Sequence, residues 1–165
     1  MSSMQGQAKR CALATGRPTA RLEAVGDTPQ KTRSGTRVRP ARVLVIDDRG
    51  VVGAALAQDL RDDCVVAVEC GEDALALLDA GQSFDLILCE VLMPGMSGPE
   101  LLSCLEANHA SQAERLVFMT DRIVSPVVEY LLEGVPNTCL ERPFDVEGLR
   151  SLIERRIRQP ASNTA

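Results

Sequence analysis

The sequence predicts an α/β fold, a five-stranded parallel sheet with helices on both faces. Three observations carry that expectation. Five short apolar runs have the unbroken hydrophobicity of strands buried on both sides. Segments with apolar residues at helical spacing alternate with them, one helix after each strand. Polar side chains stand where the runs end, at the edge where α/β sheets place their chemistry.

The first run, Val43-Leu44-Val45-Ile46, ends at Asp47-Asp48. Val51, Val52, Ala55, Leu56 and Leu60 then recur at the spacing of a helix face. Cys64-Val65-Val66-Ala67-Val68 is the second run, and Ala74, Leu75, Leu77 and Leu78 mark a second helix that Gly81 stops. The third run is Phe84 with Leu86-Ile87-Leu88-Cys89, ending at Glu90, before the turn Met-Pro-Gly-Met-Ser-Gly. Ser97-Gly98-Pro99-Glu100 has the Ser-x-x-Glu pattern and early proline of a helix start, and Leu101, Leu102 and Leu105 form its apolar face.

Leu116-Val117-Phe118-Met119 is the fourth run, ending at Thr120-Asp121. Ser125-Pro126 opens a fourth helix carrying Val127, Val128, Leu131 and Leu132, closed by Gly134 and Pro136. Thr138-Cys139-Leu140 is a short fifth strand, followed by Arg142-Pro143-Phe144. Asp145 caps a last helix with Val146, Leu149, Leu152, Ile153 and Ile157 inward. Five helices and right-handed crossovers lead to a doubly wound, flavodoxin-like sheet of order 2-1-3-4-5. Strands 1 and 3 are then neighbours, and Asp47, Asp48 and Glu90 meet at the switch point.

A chain of 165 residues suffices for one domain with a proper core. With aromatics at 2%, that core is expected to be aliphatic, and base stacking on nucleic acid has few residues to use. Residues 1–40 hold eight Lys/Arg against two acids, net +6; the remainder holds ten Arg against 21 acids, net −11, together the −5 of the whole chain. From Ala41 onward there is no lysine. The expected organisation is a basic disordered tail over 1–40, a folded domain over 41–158 and a disordered C-terminus over 159–165. An arm for nucleic acid or an acidic partner, a transit peptide, or a start codon set too far upstream would share the tail's composition. Cys11, Cys64, Cys70, Cys89, Cys104 and Cys139 lack metal-like spacing, so reduced thiols in a cytoplasmic protein are expected. No apolar stretch is long enough for a bilayer.

Singly, the strand-end residues are ordinary. Asp47-Asp48 suits a helix cap, Thr120 any strand end, and Arg142 a surface ion pair worth little. Cys89 and Cys139 read as packing residues, and His109 as an exposed loop residue. Jointly they say more. Three carboxylates in one crevice need a cation, and oxygen ligands suit Mg²⁺; a hydroxyl and a cation opposite suit phosphoryl oxygens.

From roughly Arg42 to Arg158 the chain resembles the receiver domain of two-component response regulators. The resemblance implies that Asp47 and Asp48 are the metal-binding acidic pair. It places Glu90, in E-V-L-M-P-G-M-S-G, where the family carries its phosphoacceptor aspartate, and Thr120 at the family's hydroxyl position. Arg142, in E-R-P-F-D, stands where the family carries lysine, and the backbone carbonyl of Leu92 would be a further Mg²⁺ ligand. Cys139 stands at the aromatic switch position. Met119-Thr120 and Val135-Pro136-Asn137 look most like receivers attached to hybrid histidine kinases.

Two key positions depart from the family pattern. Glutamate in place of aspartate moves the carboxylate outward by roughly 1–1.5 Å, and a shift of about 1 Å can cost ~100-fold in rate. Arginine for lysine replaces a point charge with a planar fork suited to carboxylates. The expectation is a Glu90–Arg142 ion pair reaching toward Thr120, in a pseudo-receiver that acts by protein–protein interaction and binds Mg²⁺ weakly or not at all. The partner implied is a histidine kinase or another signalling protein, through a fourth- and fifth-helix face that includes Tyr130, Leu131 and Glu133. No output domain follows Ile157, which suggests a single-domain regulator or the detached relative of a hybrid kinase's receiver.

The competing reading is a working receiver phosphorylated on Glu90, Asp47 or Asp48 by a histidine kinase. A phosphatase with an aspartate nucleophile would need Asp-x-Asp and a later lysine, where this chain has Asp-Asp-Arg and none. A nucleotide-binding domain would need a glycine-rich cradle where Asp47-Asp48 repel phosphate. The resemblance therefore implies a signalling module rather than an enzyme.

Overall fold

The computed structural model describes residues 39–121 and 126–159. Residues 1–38 of the tail expected over 1–40, Cys11 among them, the helix start at Ser125, and residues 160–165 of the C-terminus expected over 159–165 lie outside the described residues. The elements are β1 (Arg42–Ile46), α1 (Val51–Asp59), β2 (Cys64–Val68), α2 (Gly71–Asp79), β3 (Leu86–Glu90) and α3 (Gly98–Asn108). They continue with α4 (Ala110–Ala113), β4 (Leu116–Asp121), α5 (Pro126–Leu132), β5 (Cys139–Arg142) and α6 (Val146–Arg158). The strands form one parallel sheet of order β2-β1-β3-β4-β5. Among the described residues no helix is long and apolar enough to cross a membrane.

Alternation along the central strands divides the core into two layers. Leu44, Ile46, Ile87, Cys89, Leu116 and Phe118 face α2, α3 and α5, meeting Ala74, Leu78, Leu101, Leu105 and Val128. Val43, Val45, Leu86, Leu88, Val117 and Met119 face α1 and α6, meeting Leu56, Leu60, Leu149, Leu152 and Ile153. Both layers are largely aliphatic, with Phe84 and Phe118 as the buried aromatics.

The amino ends of the strands are tied side by side. Asp63, ahead of β2, accepts the Ala41 N–H at 2.8 Å. Asp85, ahead of β3, accepts the Arg42 N–H at 2.9 Å, and Gln112, ahead of β4, accepts that of Phe84 at 2.8 Å. Asn137, ahead of β5, donates to the Leu116 carbonyl at 2.8 Å. Each adjacent strand pair thus carries one side-chain staple at its entry, which fixes register before the ladder begins. Buried Arg115 donates to the carbonyls of Arg156 and Gln159, both at 2.7 Å, and holds the end of α6 to the start of β4.

Several expectations are corrected. Among the described residues there are six helices rather than five, because Ala110–Ala113 forms a separate short helix. On α1, Val51 and Ala55 point to solvent, and the inward stripe is Val52, Gly53, Leu56 and Leu60. The cause is Gly53, where an added Cβ would lie 2.6 Å from that of Ala67, so the helix presents its bare backbone to the sheet. On α5, Val128 is buried while Val127 is exposed. His109 is largely covered and hydrogen-bonds Asp79 at 2.8 Å, joining the ends of α2 and α3, instead of standing free. Arg39 donates to Asp85, and the Gln159 carbonyl accepts from Arg115. Cys64 is exposed, since β2 is an edge strand; the five described cysteines are free thiols.

Candidate functional site at the carboxyl end of the sheet

The site is assembled by strand register. β1 ends beside β3 with Ile46 opposite Cys89; Glu90 lies opposite Met119, and Asp121 opposite Arg142. The first residue beyond β1, the last of β3 and the ends of β4 and β5 therefore surround one crevice.

Asp47 is buried. Its N–H extends the ladder to the Val68 carbonyl at 3.1 Å, and its Oδ2 accepts the Val52 N–H at 3.0 Å. It therefore serves one of the unsatisfied donors that open α1. Gly50, at φ 66°, turns the chain between them. Asp48 is half-buried, with no hydrogen bond or ion pair among the described residues.

Glu90 is buried at the end of β3, and Arg142 donates to its Oε2. The same Arg142 nitrogen lies 3.1 Å from Asp121 Oδ1, and Asp121 Oδ2 lies 3.8 Å from Arg49 Nη2. Burial raises the Glu90 carboxyl above the ordinary range; Arg142 opposes this, while Asp121 and Asp47 add to it. Thr120 donates to the Asp121 carbonyl at 3.4 Å rather than to Glu90. Leu92 is exposed on the loop after β3.

That loop is pinned at both ends. The Gly98 N–H donates to the Val91 carbonyl at 3.0 Å, and Ser97 and Glu100 form a reciprocal capping box on α3. A Cβ at Gly98 would lie 2.8 Å from the Glu90 carbonyl oxygen and 2.9 Å from the Phe118 ring, so α3 starts in contact with the floor of the crevice.

The thiols nearby are quiet. Burial raises the Cys89 thiol far above its ordinary value, with Glu90 adding to the effect. Cys139 is likewise raised, by burial first and then by Glu141 and Glu90. Both side with packing rather than thiolate chemistry.

The structure thus brings together Asp47, Glu90 and Arg142, keeps Asp48 and Thr120 at the rim, and adds Asp121 and Arg49, which sequence reasoning missed. Parallel register was the available signal, since the residue after a strand-end threonine lies opposite the basic position on the next strand. As arranged, these residues do not fit Mg²⁺, which requires several oxygens in near-octahedral geometry. Asp47 Oδ2 serves a backbone N–H, and Glu90 and Asp121 share one guanidinium nitrogen. No group of three or more acidic, histidine or cysteine side chains among the described residues is placed to hold a metal.

A doubly wound parallel sheet with a charged crevice at its switch point hosts many functions, and comparison with known proteins identifies the family. The model of the response regulator receiver domain matches residues 43–154, and the chain belongs to that family. The transcriptional regulatory protein FixJ of Bradyrhizobium diazoefficiens is 35% identical over 119 residues, covering 71% of this chain and 57% of FixJ. The two-component response regulator ORR11 of rice is 30% identical over 119 residues, covering 69% of this chain and 81% of ORR11. Among solved structures, a response regulator from Chloroflexus aurantiacus shares the fold at TM-score 0.61 and 23% identity, covering 73% of this chain and all of that one. The chemotaxis protein CheY4 of Vibrio cholerae matches at TM-score 0.56 and 27% identity, covering 70% of this chain and 98% of that one.

Proposed function

We propose that this chain is a pseudo-receiver in two-component signalling that acts by binding a partner protein rather than by cycling a phosphoryl group. The observation that carries the reading is the Glu90–Arg142 pair. A carboxylate stands at the acceptor position, already bonded to the cation that would otherwise meet the phosphoryl oxygens. Its longer reach places negative charge beyond the strand end, where an acyl phosphate on aspartate would carry it. Glu90, Arg142 and Thr120 are the residues assigned to this mimicry, although the Thr120 hydroxyl turns away from Glu90.

Cys139 supports the reading, since a small, partly buried thiol packed on the core has no ring to swing between inward and outward positions. The partner is a histidine kinase or another signalling protein, and the resemblance to receivers attached to hybrid kinases favours the former. Val127 and Tyr130, exposed on α5, are the apolar part of the proposed contact.

A second reading, a receiver that still accepts a phosphoryl group, is favoured by Asp48, which no side chain or N–H among the described residues engages. Incubation with Mg²⁺ and acetyl phosphate, followed by intact-mass analysis, separates the two. The pseudo-receiver gives no phosphoryl adduct, while Glu90→Asp with Arg142→Lys gives more adduct than either change alone. A stable adduct on the unaltered chain overturns the proposal.

A further inference from the structure

The charged side chains of the crevice form a single file from interior to solvent. The Glu90 and Arg142 side chains are 10% and 16% exposed, and Asp121 and Arg49 54% and 69%. Signs alternate along the file: Glu90 on β3, Arg142 on β5, Asp121 on β4, then Arg49 in the β1–α1 turn. One Arg142 nitrogen therefore sits between carboxylates from two different strands, with Asp47 beside them. The Arg142 Nε is buried without a hydrogen-bond partner among the described residues, so the group is held through its outer nitrogen and its charge rather than through a complete set of bonds.

We propose that Arg142 is the resident cation of the crevice, occupying the place a divalent ion would need, and that Asp121 is the residue that holds it there. A divalent ion and the guanidinium compete for the Glu90 carboxylate, and the guanidinium is tethered. Asp121 is a positioning residue: without it, Arg142 has Glu90 as its one remaining carboxylate contact among the described residues. The inference rests on reading Glu90 and Arg142 as the crevice's central pair. It is tested without a phosphodonor, so that its failure is distinct from that of the pseudo-receiver reading.

The experiment is thermal unfolding of the full chain over a MgCl₂ titration at constant ionic strength, for the unaltered chain, Arg142→Met and Asp121→Ala. The unaltered chain keeps a constant Tm. Arg142→Met starts lower and regains stability in a saturable, Mg²⁺-dependent manner, which Asp47→Asn in the same chain weakens. Asp121→Ala shows a smaller Mg²⁺ response, because Arg142 is loosened but present. A saturable rise in Tm for the unaltered chain overturns the proposal, as does a folded Arg142→Met that ignores Mg²⁺. Should Arg142→Met fail to fold, Arg142→Gln takes its place. That substitution removes the charge but keeps a polar group at the site, and a folded Arg142→Gln that ignores Mg²⁺ is equally fatal.

Discussion

The two ends of the sheet use polar side chains in opposite ways. At the amino end, Asp63, Asp85, Gln112, Asn137 and Arg115 all bond to backbone groups, and each bond ties one strand or helix to another. At the carboxyl end, Glu90, Arg142, Asp121 and Arg49 bond chiefly to one another, and Asp48 to nothing among the described residues. Polar groups at the amino end satisfy donors and acceptors the fold would otherwise leave bare. Those at the carboxyl end hold like charges close together. One end stabilises the architecture; the other carries electrostatic tension that a function can exploit.

The largest effect should come from the amino end. Arg115→Ala removes two charge-assisted bonds to carbonyls at the end of α6 and is expected to cost about 3 kcal/mol, read by urea denaturation. Gln112→Leu keeps the volume roughly and strands the buried Phe84 N–H, for a loss of about 2 kcal/mol in the same assay. If both prove neutral, the contrast between the ends collapses.

The next effect is a difference in sign. Burial raises the Asp85 carboxyl, but hydrogen bonds from Arg39 and the Arg42 N–H more than offset it and hold the group below the ordinary range. Its contribution is therefore present above its unfolded value, about 3.9, and is lost as pH falls through the lower folded value. Glu90 behaves oppositely. Its folded value is raised, so the folded state binds more protons than the unfolded one just above about 4.3, and stability declines as pH climbs through that window. Stability–pH profiles should show the acid-side loss flattened by Asp85→Asn and the later decline flattened by Glu90→Gln.

The smallest effect sharpens the comparison most. At neutral pH, Glu90→Gln should change stability by no more than about 0.5 kcal/mol, measured by the same denaturation. It relieves a carboxylate disfavoured by burial and leaves Arg142 paired with Asp121. A loss of the size expected for Gln112→Leu would mean that Glu90 is structural.

What the sequence made legible follows the same division. The central strands were readable because burial on both faces leaves an unbroken apolar run, and the capping box on α3 and the Asp145 cap on α6 are local chemistry. The α1 face was misread because Val51 is apolar yet exposed, while Gly53 faces the sheet for want of a side chain. The four-residue α4 is too short to show a period. Gln112 and Arg115 look like surface residues in S-Q-A-E-R, and nothing local announces that both are buried as staples. In the crevice, the resemblance named the positions that occupy strand ends, but Asp121 and Arg49 join them only through register and the turn at Gly50. The Glu90–Arg142 contact expected from the paired departure is present; the reach to Thr120 is not.

Gly98 gives that crevice its depth. The first residue of α3 touches both the carbonyl of Glu90 and the ring of Phe118, leaving no room for even one methyl group. The helix therefore acts as a mechanical stop behind the acidic residue, and a load applied along α3 would be delivered to the backbone beneath Glu90. A partner that grips α3 would have a lever on the crevice without entering it.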